Sequence, residues 1–215
     1  MPEARAGLLI DWGGVLTTSV FDSFAEFCAA EGLTPEAVRD AFRRDPAARD
    51  LLFDLEKGAL AEADFEARFC AALGLGDDRA AGLIDRLYGG LRADSAMLDA
   101  VRAARAAGVR TGLVSNSWGA DRYDRGLLAE LFDATVISGE EGIRKPDPRM
   151  YELGAARVGL EPGDCVYVDD LPGNLKPARE LGMATVHHVE AARTVAELEG
   201  LLGVRLGVSG EGVSR

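Results

Sequence analysis

The stretch Gly7-Leu8-Leu9-Ile10-Asp11-Trp12-Gly13-Gly14 most constrains what this chain can fold into. A short apolar run that ends in a carboxylate and then in glycines reads as a strand buried on both faces, as a parallel sheet requires. Such a strand delivers Asp11 to the carboxyl edge of the sheet, where open α/β sheets bind ligands. The glycines let the backbone turn tightly and bring bare amides close to whatever binds there. Taken alone, a strand-end Asp before glycine serves equally well as a turn cap.

Further stretches narrow the choice. Thr111-Gly112-Leu113-Val114-Ser115-Asn116 is a second apolar run, ending in a hydroxyl. Gly142-Ile143-Arg144-Lys145-Pro146-Asp147-Pro148 sets a lysine in a Pro-rich loop, and Cys165-Val166-Tyr167-Val168-Asp169-Asp170 is a third apolar run, ending in paired carboxylates. In chain order these supply a nucleophile, a hydroxyl, a cation and an acidic pair, the parts for metal-assisted phosphoryl transfer. An Asp pair offers hard oxygen ligands of the kind Mg²⁺ takes, and Asp11, Asp169 and Asp170 would repel one another without a cation between them. Asp170 reads either as the second ligand or as a cap, and Asn174 as the start cap of its helix.

The periodicity divides the chain. From Val20 to Leu91 the apolar residues recur at helical spacing with no strand pattern between them, which predicts an all-helical insertion after the first strand. Thr34 caps one of its helices, with Pro35 in the first turn. From Ser95 strands and helices alternate, the mark of parallel βαβ units. The expectation is a Rossmann-like parallel sheet with helices on both faces, over residues 1–17 and 93–203, and a helical cap over 18–92 hinged near Thr17-Thr18 and Arg92-Ala93. Pro177 is expected in the first turn of its helix, Ala184 to Val189 as a last strand, and residues 204–215 as a loose tail.

In motif order the chain resembles the haloacid dehalogenase superfamily of hydrolases, over roughly residues 7 to 190. The resemblance implies Asp11 as nucleophile, Lys145 as the cation that neutralises it, and Ser115 with the Asn116 amide as the phosphate-binding pair. It also implies a Mg²⁺ site from Asp11, the Gly13 carbonyl, Asp169 and Asp170, and a cap that selects the substrate. One position departs. The second Asp of the family's Asp-x-Asp, which protonates the leaving oxygen, is here Gly13. Such acid–base help is typically worth ~10²–10⁴ in rate. The resulting expectation is a Mg²⁺-dependent phosphomonoester hydrolase acting on a small phosphorylated metabolite. The alternatives are carbon–halogen hydrolysis, whose halide leaves without a proton, and a phosphate- or metal-binding module of weak catalytic power.

Charge bears on partners. With 24 basic and 36 acidic residues the net charge is −12, which argues against nucleic acid and anionic membranes. Cys28, Cys70 and Cys165 stand singly in apolar surroundings and read as buried thiols. No signal-peptide pattern and no membrane-length apolar run is present, so a cytoplasmic protein is expected. Trp12 and Trp118, just past strand ends, suit either the substrate entrance or packing. Arg43, Arg44, Arg49, Phe53 and Glu56 of the cap receive no role, and His187-His188 reads as structural.

Overall fold

The computed structural model describes residues 4–119 and 122–207. Strands β1 (Gly7–Ile10), β2 (Arg110–Ser115), β3 (Ala134–Ile137), β4 (Cys165–Asp169) and β5 (Ala184–His187) form one sheet in the order β3-β2-β1-β4-β5. Every pairing is parallel, and β1 sits in the middle with Ile10 level with Leu113 and Val168. The β1 run has no polar member because both its faces are covered. Leu8 and Ile10 enter one apolar cluster, whereas Leu9 enters another. The first is built with α6 (Ser95–Ala106), α7 (Arg125–Leu131) and α11 (Ala191–Leu202), the second with α9 (Pro148–Arg157) and α10 (Pro172–Glu180). A short helix, α8 (Ser138–Glu141), follows β3 directly.

Between β1 and β2 stand α1 (Val20–Ala30), α2 (Ala37–Arg44), α3 (Pro46–Glu56), α4 (Glu62–Ala72) and α5 (Leu83–Tyr88) around their own aromatic core. The chain enters and leaves this cap side by side. Thr17 and Ala93 form an antiparallel bridge, Thr18 N donates to Arg92 O at 2.8 Å, and Asp94 N donates to Leu16 O at 2.9 Å.

Several local expectations are corrected. The second cap helix starts at Ala37 behind Glu36, with no side-chain cap, so Thr34 and Pro35 lie in the turn before it. α10 starts at Pro172, which takes the first turn, and this places Pro177 inside the helix and Asn174 past its start. The N-cap residue is Leu171, so Asn174 caps nothing. β5 stops at His187, and Val189 is exposed. The stretch from 204 is not loose where it is described: Leu206 is buried in the sheet-side core, and its amide donates to Glu199 Oε1 at 2.8 Å. Residues 208–215, the rest of the expected tail, lie outside the described residues.

Candidate active site

β1, β2 and β4 are neighbours running in one direction, so their carboxyl ends bring Asp11, Ser115 and Asp169 to a single edge. One oxygen each from Asp11, Asp169 and Asp170 come within 4.8 Å of one another. Lys145, almost wholly buried, reaches in from the loop before α9, with Nζ 2.7 Å from Asp11 Oδ2 and 2.8 Å from Asp169 Oδ2. Burial alone would strip the proton from this lysine, but the two carboxylates overcome it and raise its pKa above the ordinary value. Asp11 accepts the Trp12 amide at 2.7 Å. Burial, with Lys145 opposing and Asp169 and Asp170 adding, holds its carboxyl well above the usual range.

Asp169 and Asp170 are neighbours in sequence with different surroundings. Asp169 is fully buried: Oδ2 accepts from Lys145, from Tyr167 Oη at 2.6 Å and from Asn174 Nδ2 at 3.1 Å. Its Oδ1 accepts from Leu171 N at 2.9 Å and Asn174 Nδ2 at 3.0 Å. Burial would raise its pKa, yet these donors hold it below the usual value. Asp170 faces the cavity, and burial followed by the charge of Asp169 pushes it to about 6. Of the two, Asp170 has the freer oxygens. Its carbonyl accepts from His187 Nε2 at 3.0 Å, so His187 braces the loop that carries it. A side chain at Gly14, where φ is 74°, would put its Cβ 2.5 Å from Asp170 Oδ2. Only glycine leaves that carboxylate its place.

The hydroxyl and its neighbour are held as firmly. Ser115 Oγ accepts from Tyr123 Oη at 2.9 Å, which leaves its own proton free to point into the cavity. The Asn116 side chain clamps the Lys145 backbone, accepting from Lys145 N at 2.8 Å and donating to Lys145 O at 3.2 Å. Asp11, Gly13, Ser115, Asn116, Lys145 and Asp170 form the floor of a cavity of about 810 Å³ that extends under the cap. Each residue picked out in the sequence is therefore at this site, with Asp169 behind the wall.

The sequence gives several other participants no definite role at the site. Glu56, at the end of α3, is buried and pairs with Arg144, whose guanidinium also lies 4.0 Å from the Phe53 ring centroid. Ser138 Oγ donates to the Glu56 carbonyl at 2.5 Å. Trp118, from the loop after β2, is buried in the cap's aromatic core. These contacts tie the cap to the sheet from partners far apart in the chain. Tyr123 and Asn174 belong to the same group: a tyrosine in a patternless loop and an asparagine at a helix start look unremarkable until the fold places them. Trp12 and Trp118 both line the cavity, Trp118 while also packing. The donor set suits a small divalent cation, since it is all hard oxygen and glycine leaves the room.

A model of the haloacid dehalogenase-like hydrolases matches residues 6–182. Among curated relatives, bifunctional epoxide hydrolase 2 of Sus scrofa is 36% identical over 117 residues, 51% of this chain. The chain spans only 21% of that protein's length. Sesquiterpene phosphatase astK of Aspergillus oryzae is 27% identical over 151 residues, 69% of this chain and 77% of the relative. Among solved structures, the HAD family enzyme bt-2542 of Bacteroides thetaiotaomicron, in complex with magnesium and inorganic phosphate, superposes with a TM-score of 0.62 at 22% identity. That match covers 86% of this chain and 94% of the other. No described helix is long and apolar enough to cross a membrane.

Proposed function

The chain belongs to the haloacid dehalogenase-like hydrolases, and from that premise we propose that it hydrolyses small phosphate monoesters, with Asp11 as phosphoryl acceptor and Mg²⁺ as cofactor. The observation that carries this reading is the convergence of Asp11, Lys145 and Asp170 at the floor of one cavity, with Asp169 directly behind them, beside a serine whose hydroxyl proton is free. A phosphatase-named relative and a magnesium–phosphate complex of the same fold support it. Asp11, the Gly13 carbonyl and Asp170 would hold the ion; Asp169, which the sequence also offers as a ligand, has its oxygens taken by Lys145, Tyr167, Leu171 and Asn174 and would tether Lys145 behind them. When bound, Mg²⁺ neutralises crowded carboxylates and the charge of the phosphoryl group.

The chain's own groups do the rest. Ser115 Oγ–H, the Asn116 amide and Lys145 Nζ take the phosphoryl oxygens and hold phosphorus against Asp11. An Asp11 carboxylate oxygen attacks phosphorus, the ester oxygen leaves with its electron pair, and water then opens the aspartyl-phosphate to release phosphate. Lys145 stays charged throughout because Asp11 and Asp169 flank it. Carbon–halogen hydrolysis would use the same nucleophile, but it gives Asp170 no work, and that carboxylate faces the cavity.

Asp11→Asn provides the test. It should fold and lose turnover on phosphate esters, with beryllofluoride binding lost as well. An Asn variant at the wild-type rate, or Mg²⁺-independent halide release from 2-haloacids by the wild type, would overturn the reading.

A further inference from the structure

The cavity's floor and its walls differ in chemistry. Above the carboxylates it is lined by Trp12, Phe24, Phe42, Tyr88, Trp118 and Tyr123. These rings hold one another in place. Trp118 lies 5.7 Å from Phe24, 5.7 Å from Phe42 and 5.1 Å from Tyr88 between centroids, and Trp12 meets Tyr123 edge-on at 5.9 Å. Leu52 and Leu91 add aliphatic surface.

The two arginines nearest these rings are engaged in ion pairs. Arg144 is paired with Glu56, and Arg122 with Glu62 and Asp85. The remaining charges are Glu36, just before α2, and Arg39, Asp40, Arg43 and Arg44 on α2; all are exposed except the half-buried Asp40, which pairs with Arg44 at 3.4 Å. A polyol phosphate seated against the aromatic part of this chamber would find few partners for its hydroxyls. Each buried hydroxyl left unmatched costs about 1–3 kcal/mol. An apolar ring loses nothing of that kind and gains offset or edge-on contact with the walls.

A second observation is independent of the first. Position 13 carries no side chain, and the cap crowds it: a Cβ on Gly13 would lie 3.0 Å from Val20 Cγ2, which would have to give by a few tenths of an ångström. The leaving oxygen thus meets no carboxylic acid from position 13, and an oxygen that carries its own charge readily suffers least from that loss. A phenolate corresponds to a pKa of ~10, whereas an oxygen resembling bulk water lies near ~16. Leaving-group chemistry selects an aryl oxygen, and the wall chemistry selects an aromatic body.

Resting on the phosphatase reading above, we infer that the substrates of this site are aryl phosphates, monoesters of a phenolic hydroxyl on an apolar ring system. The volume of about 810 Å³ is that of a small-molecule pocket and accommodates a bicyclic or tricyclic ester. A long alkyl phosphate meets the wall condition alone, and a sugar phosphate meets neither.

The test compares kcat/KM on 1-naphthyl phosphate, decyl phosphate and glycerol 2-phosphate at saturating Mg²⁺. Binding of 1-naphthol and of glycerol is followed in parallel by quenching of tryptophan fluorescence. The expected order is naphthyl, then decyl, then glycerol ester, with the first exceeding the last by at least ~10²-fold, the lower bound for a missing general acid. 1-Naphthol should quench and glycerol should not. Leu52→Asn, which puts an amide into the wall, should raise KM for the naphthyl ester roughly tenfold and leave KM for the glycerol ester unmoved. Similar kcat/KM on all three esters, or a decyl ester as good as the naphthyl one, overturns the aryl proposal alone. Quenching by 1-naphthol with no ester hydrolysed overturns the phosphatase reading and the aryl proposal with it.

Discussion

Gly13 and Val20 can be tested as a pair. Gly13 is not among the glycines with positive φ, so its backbone accepts a side chain, and the obstacle is Val20 Cγ2 at 3.0 Å from the added Cβ. Ordinary contact begins at about 3.4 Å, so Gly13→Ala overpacks the loop after β1 by a few tenths of an ångström, at a cost of ~1–2 kcal/mol. Val20 is half-buried. Val20→Ala removes two methyl equivalents worth ~0.8 kcal/mol each when fully buried, and about 1 kcal/mol in total here. Additive effects would put the double variant ~2–3 kcal/mol below wild type. Because Val20→Ala removes the atom that Gly13→Ala runs into, the expected loss is only ~1 kcal/mol, a coupling of ~1–2 kcal/mol. Urea denaturation of the four proteins measures it. The functional counterpart is Gly13→Asp with Val20→Ala, which restores both the acid and its room. Turnover of glycerol 2-phosphate should rise by ~10²–10³, with little change on 1-naphthyl phosphate. Additivity within ~0.5 kcal/mol, or a folded double variant with unmoved alkyl turnover, would refute the argument.

Trp118→Ala should cost ~3–5 kcal/mol and speed hydrogen exchange across α1 and α4 while the sheet stays protected, because Trp118 packs in the cap's core; unchanged cap exchange would count against its role as an anchor. Lys145→Met leaves Asp11 and Asp169 buried without their cation and should cost ~3–5 kcal/mol at pH 8. The loss should shrink at pH 5, where a carboxylate can take up a proton instead, and equal losses at both pH values would argue against the charge pairing. His188 is buried beside Thr194 Oγ1 at 2.9 Å, and burial lowers its pKa below 6.5, with Asp94 opposing and His187 adding. Since its folded pKa lies below its unfolded one, its contribution is complete above 6.5 and is lost as pH falls through the lowered value. The stability advantage of wild type over His188→Gln should therefore narrow from pH 7.5 to pH 5.5, and a constant difference would reject the assignment.

The residues legible in the sequence are those whose placement follows from strand ends alone. Asp11, Ser115 and Asp169 each close an apolar run, and in a parallel sheet such ends share one edge. The cap's helical period and the alternation after Ser95 likewise follow from one segment at a time. What depends on which surface meets which belongs to the tertiary structure. Period identifies a buried face without naming its partner, so nothing in α3 announces that Glu56 meets Arg144, and nothing near Trp118 announces the cap's core. Asn174 looked like a cap because Asn commonly caps helices. An earlier helix start instead turned its amide onto both oxygens of Asp169. Asp169 and Asp170 are the same residue type side by side, yet alternation along a strand end sends one inward to fixed donors and the other to the cavity. Gly13 shows the same division. Its sequence reveals only a missing carboxylate, whereas the packing of α1 against the loop after β1 shows that Val20 crowds the position from the cap side.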